Sequence, residues 1–136
     1  MRKLLLLAAL AALGTMLIAT PASASFDPHF TVRGHGFKLT NVGHHRLKFH
    51  VKLRKHGQRV GTGHGRCHEL NRSAARCHIH YHLNGKVGGR GVVKAVGRFG
   101  KGRERFNVTG GTGAFDGVAG KIILSHDNKS RFHLVA

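Results

Sequence analysis

From Leu47 to Leu53 apolar and basic residues alternate without a break, with Leu47, Phe49, Val51 and Leu53 on one side and Lys48, His50 and Lys52 on the other. A repeat of two marks a strand with one buried face. The pattern recurs where Ile79, Tyr81 and Leu83 interleave with His78, His80 and His82, and where Phe132 and Leu134 flank His133. Weaker alternation covers Phe30–Leu39, Val60–Cys67, Val87–Phe99, Arg103–Thr109 and Val118–Ser125. Eight strands are predicted. Turn signals separate them at Asn41-Val-Gly43, His56-Gly57, Asn84-Gly85, Gly110–Gly113 and Asp127-Asn128. Asn84-Gly85 reads as a two-residue primed hairpin turn. Short strands with one apolar face each and no helical periodicity fit a sandwich or a closed barrel. The all-β, eight-stranded antiparallel barrel is preferred, because closure removes the free sheet edges that invite aggregation.

The chain ahead of these strands follows another pattern. Arg2 and Lys3 precede an apolar run from Leu4 to Ile18, and Thr20-Pro-Ala-Ser-Ala24 supplies an Ala-x-Ala ending. These are the three parts of a secretory signal peptide. Residues 1–24 are expected to be cleaved off, leaving 25–136 as a single secreted barrel domain. The apolar run is shorter than the ~20 residues of a membrane span, and no later stretch is long and apolar enough to be one.

Charge narrows the partners. The 136 residues carry 23 Lys+Arg against 5 Asp+Glu, a formal net charge of +18 before any of the 13 histidines takes a proton. Charged partners should be anionic. With 40% hydrophobic residues the chain can still build a core, and its length holds one domain, which excludes multi-domain enzymes. The 20 glycines argue further against helices, since each costs roughly 1 kcal/mol relative to Ala in a helix interior. Export also decides how Cys67 and Cys77 are read. An even count in an oxidising compartment favours a disulfide over a nucleophilic thiol or a metal pair, and His68–Arg76 between them suit the connection of two antiparallel strands.

Five glycines, Gly110, Gly111, Gly113, Gly117 and Gly120, crowd one segment. It is not a phosphate-binding loop, because no Gly-Lys-Ser/Thr follows and no helix succeeds it. The glycines read instead as a structural corner that supplies positive φ between two strands. Here the residues resemble a family. Val108-Thr-Gly-Gly-Thr-Gly-Ala-Phe115 followed by Gly117-Val-Ala-Gly120 is similar to the glycine-rich segment of dirigent proteins and allene oxide cyclase-like barrels. The cysteine hairpin, the Tyr81-His-Leu-Asn-Gly85 turn and the short last strand resemble secreted bacterial members of that superfamily. The resemblance implies a calycin-like barrel with a pocket at one mouth, in which a small molecule is held in one conformation while it reacts. It carries no catalytic residue across to this chain, and no cofactor is implied.

Histidines supply the remaining chemistry. His78, His80 and His82 share one face of a strand, and if Cys67 faces Cys77, antiparallel pairing sets His64 opposite His80 and Arg66 opposite His78. A strand His-x-His with a third histidine from a neighbour is a way to hold zinc or copper, so His64, His78, His80 and His82 form a candidate metal set. The competing reading is a solvated cationic exterior, favoured by Arg66 beside the rings and by the shortage of carboxylates to orient them. Histidines near their ordinary pKa of about 6.5 would add charge to that face on acidification. Lys38, Arg46, Lys48, Lys52, Arg54, Lys94 and Arg98 are spread along several strands as an evenly cationic shell. Specific nucleic-acid recognition is disfavoured, because the phenylalanines fall on the apolar phase instead of interleaving with the cations.

Two functions follow. The first is a barrel that binds a small apolar or aromatic molecule and guides its reaction, with an interior lined by Leu47, Phe49, Val51, Ile79, Tyr81 and Phe99. The second is a non-enzymatic, His-rich cationic protein whose exterior binds anionic envelope polymers or a transition metal. A hydrolase has no support, as neither a catalytic triad order nor a nucleophile elbow is present.

Overall fold

The alternation is realised as eight strands: β1 (His29–Asn41), β2 (Arg46–Lys55), β3 (Gln58–Asn71), β4 (Ala74–Asn84), β5 (Arg90–Phe99), β6 (Glu104–Gly113), β7 (Ala119–Leu124) and β8 (Lys129–Val135). The computed structural model describes residues 26–100 and 104–136, so the expected signal peptide and its cleavage site lie outside the described residues. Each strand pairs antiparallel with the next, and β1 pairs with β8 to close the barrel. Among the described residues no helix is long and apolar enough to cross a membrane.

Following partners round the barrel shows its tilt. Phe30 faces Phe132, then come Ile122, Phe106, Gly97, Cys77, Cys67 and Leu47, and the circuit returns to β1 at Asn41 instead of Phe30. This offset is the stagger that closure of tilted strands requires. It leaves β1 beyond Gly34 with β2 on one side and no strand on the other, since pairing with β8 stops at Arg33 opposite Lys129. The far part of β1 and the adjoining ends of β2, β3 and β4 therefore form a lip at one end of the barrel. Cys67 and Cys77 face each other within it and are joined as a disulfide.

Inward positions fill the lumen. Phe30, Leu53, Ile79, Tyr81, Phe106, Ile122 and Phe132 are buried in one cluster, and several aromatic rings lie where a glycine leaves room. A Cβ on Gly65, Gly88 or Gly97 would run into the ring of Phe49, Phe30 or Phe106, respectively. Opposite the lip, Phe30 stacks on Phe132 with ring centroids 4.3 Å apart, and Phe26 meets Phe115 edge-on at 6.0 Å. That end is plugged. Tyr81 sets its ring edge against Phe132 at 5.0 Å, and its hydroxyl is hydrogen-bonded to the buried Ser130 side chain. Burial raises the Tyr81 phenol to about 12.

Two expectations about connections are corrected. Asn84-Gly85 does not make a two-residue turn. Asn84 ends β4, β5 starts only at Arg90, and the link between them contains Gly85, Gly88 and Gly89, all at positive φ. Burial of Val87 and the seat that Gly88 provides for Phe30 hold this longer loop against the core. The two-residue turn sits instead at His56-Gly57, both at positive φ, between Lys55 and its partner Gln58. In the glycine-rich segment, Gly110, Gly111 and Gly113 belong to β6, Gly117 to the corner and Gly120 to β7. The corner is fastened by the Phe115 N–H donating to the Thr112 carbonyl and the Val118 N–H to the Phe115 carbonyl.

These glycines are not equivalent. Gly120 has φ 122, and a Cβ there would collide with the His133 carbonyl, whereas Gly117 has φ 70 and faces open space. Gly120→Ala is expected to cost about 2 kcal/mol or more. Gly117→Asn should cost under about 1 kcal/mol, because Asn tolerates the left-handed region. Urea unfolding of the oxidised variants measures both, and equal losses would refute the distinction.

Candidate functional site

The polar phase of the strands builds a continuous outer row. Lys38 pairs with His50, His50 with His64, His64 with His80 and His80 with Lys94, crossing β1 to β5 at one level. A neighbouring row runs Lys48, Arg66, His78, with the expected register of Arg66 opposite His78 and His64 opposite His80. The imidazoles touch. Ring centroids of His50 and His64 are 4.6 Å apart and those of His64 and His82 are 5.4 Å apart, both edge-to-face. The Thr62 hydroxyl lies 3.3 Å from His64 Nε2.

A groove of about 840 Å³ follows these rows, bounded by Lys38, Lys48, His50, His64, Arg66 and His80, with Phe49 and Gly65 contributing its apolar part. A second groove of about 580 Å³ shares Lys48, Arg66 and His78 and adds Leu47 and Cys67. Loss of hydration lowers the His50 pKa, assisted by repulsion from His64, Lys38, Lys52 and Arg59. Loss of hydration likewise lowers His80, with Lys94, His82, His78 and Arg66 adding to it. These two rings therefore depart from the ordinary value expected of the face. The groove is rich in donors and cations, and none of the five acids lines it. Glu69 lies 3.2 Å from His45, Asp127 pairs with Lys129 at 2.9 Å, Glu104 accepts from the Gly100 N–H and Asp27 from the His29 N–H. Asp116 is exposed on the glycine corner.

The six residues expected to line an internal pocket are separated by the fold. Ile79 and Tyr81 are buried in the packed core, while Leu47, Phe49 and Val51 pack against it half-buried. Phe99 keeps the inward phase but lies at the strand end, 45% exposed. Of the set, Phe49 and Leu47 border grooves whose other lining includes outward-phase residues such as Lys48 and Arg66. Within the lumen, aromatic rings lie over glycines.

The four histidines considered for a metal all occupy the outer face, yet among the described residues no three His, Cys, Asp or Glu side chains converge to hold an ion. Arg66 stands opposite His78 and Lys94 opposite His80. Lys38, Lys48 and His50 belong to the groove although sequence reasoning did not group them with the histidines. The signal was present in the shared outward phase of Lys48, His50 and Lys52 on β2, but it needed the β2–β3 register to become a site.

No family model matches the chain, and no curated protein matches it at a significant level. Among solved structures, a protein named pyocyanin demethylase superposes with a TM-score of 0.64, covering 79% of this chain and 99% of its own, at 20% sequence identity. At that identity the likeness speaks for a shared barrel fold.

The lowered histidines set the sign of a pH effect. Folding holds His50 and His80 below 6.5, so the unfolded chain binds protons first as the solution acidifies. Their neutral form favours the fold above about pH 6.5, and that contribution is lost as pH falls through the two folded-state values. Ring-proton NMR titration should place both midpoints under 6.5, and Lys94→Ala should raise that of His80. Midpoints at or above 6.5 would contradict this electrostatic picture.

Proposed function

We propose that the protein is a secreted binding barrel for a small aromatic molecule carrying an anionic group, held in the outer groove. One observation carries the reading: a groove of ~840 Å³ brings Lys48, Arg66, His50 and His64 together with Phe49 and Gly65, and no carboxylate lines it. A flat apolar body packs on the stretch of groove that Phe49 and Gly65 supply, and its acidic group finds imidazole and guanidinium donors. Fold likeness to a protein named for demethylating pyocyanin supports a small organic ligand, as does the dirigent-like glycine segment. Holding the ligand in one orientation is how such a site would steer a reaction. The disulfide is in keeping with work in an oxidising medium after removal of residues 1–24.

The test uses two dyes that differ in one group, 1-anilinonaphthalene-8-sulfonate and uncharged N-phenyl-1-naphthylamine. The sulfonate should saturate at one dye per chain and bind about tenfold tighter than its neutral counterpart. Its affinity should fall several-fold between about 20 and about 300 mM salt. Phe49→Ala and Arg66→Ala should each weaken it about tenfold. Equal affinity for both dyes, or indifference to Phe49→Ala, would overturn the proposal. Retained sulfonate binding that depends on Arg66 alone would favour a purely cationic exterior.

A further inference from the structure

We infer that the lip end of the barrel is a docking surface for an anionic lipid membrane. Five large apolar side chains there face solvent: Phe37 (54% exposed), Leu39 (56%), Val42 (45%), Leu70 (49%) and Phe99 (45%). Chain order places them together. Phe37 and Leu39 are on the part of β1 that has lost β8, Val42 is in the β1–β2 turn, Leu70 is next to the β3–β4 turn, and Phe99 ends β5. The opposite end treats its aromatics differently, covering Phe30 and Phe115 completely. A cluster of this kind at one pole is more than the scattered exposure normal for a soluble surface.

The charges around the cluster identify what covers it. Arg46, Lys48, Arg72, Arg76 and Arg98 are exposed on the same strand ends and turns. The acids at that end are engaged, Glu69 with His45, Glu104 with the Gly100 N–H and Asp127 with Lys129. Apolar side chains that enter the acyl boundary while Arg and Lys remain among phosphates describe interfacial binding to anionic lipid. A second copy of the chain is a poorer occupant. Joining two such ends brings like charges together, and strand pairing through the free edge of β1 is opposed by the irregularity between His35 and Lys38, with Gly36 at φ 61, and by Lys38 itself. The inference does not depend on the groove binding a small ligand.

Co-sedimentation of the oxidised protein with phosphatidylcholine vesicles, with and without phosphatidylglycerol, tests it. Pelleting is expected with the anionic vesicles and to be at least about tenfold weaker with the neutral ones. Raising salt should weaken this binding without abolishing it, because part of it is apolar. The double variant Phe37→Ser/Leu39→Ser should partition about tenfold less. Phe99→Ser, which alters a different strand, should reduce partitioning in the same direction, and circular dichroism confirms that each variant folds. Absence of pelleting with anionic vesicles overturns the inference. So does equal pelleting of wild type and both variants, which would mean adsorption by charge alone. An oligomer in sedimentation equilibrium that Phe37→Ser/Leu39→Ser converts to monomer would assign the surface to a second copy instead.

Discussion

Aromatic rings seated on inward glycines are the contacts on which this barrel depends. An eight-stranded barrel is only just wide enough for side chains to meet across it, and here width is shared unevenly between neighbours. Phe106 occupies the space that Gly97 leaves, Phe49 that of Gly65 and Phe30 that of Gly88. A methyl group at any of these glycines displaces a ring, not merely a loop. Much of the glycine content thus belongs to packing, and it allows a short chain to bury large apolar surfaces without a second layer.

A lumen filled in this way transfers the chemistry to the outside. The strands that point Phe49, Ile79 and Tyr81 inward point Lys48, His50, His78, His80 and His82 outward, because side chains alternate along a pleated strand. Cross-strand pairing then lines up Lys38, His50, His64, His80 and Lys94. Loss of hydration first, and then repulsion from neighbouring imidazoles and fixed charges, makes His50 and His80 resist protonation. The same stagger that closes the sheet also strips β1 of a partner beyond Gly34 and exposes Phe37 and Leu39. Groove, cationic face and apolar lip are therefore consequences of one register.

The barrel was legible in the sequence because its strands obey a period of two where one face is buried. Leu47–Leu53 and His78–Leu83 show this directly, and the facing cysteines were enough to set β3 against β4. Legibility failed where register depends on local irregularity. Continued unchanged from the His56-Gly57 turn, the hairpin would pair His50 with Gly63, but the shift between Leu53 and Arg54 brings His64 opposite it. Such a shift leaves no mark on alternation, so His50 and Lys38 could not be joined to the histidine set in advance. Whether inward residues enclose a space or fill it depends on which ring meets which glycine across strands. Phe99 shows the limit of phase alone, since it points with the core residues from a position the core does not reach.

Tyr81 is the only tyrosine in a chain without tryptophan, and it is held edge-on to Phe132 at the centre of the barrel. The tyrosine absorption and emission bands consequently have a single origin. That makes the phenol a built-in optical gauge of closure, sensitive to the barrel opening and indifferent to what happens at the loops.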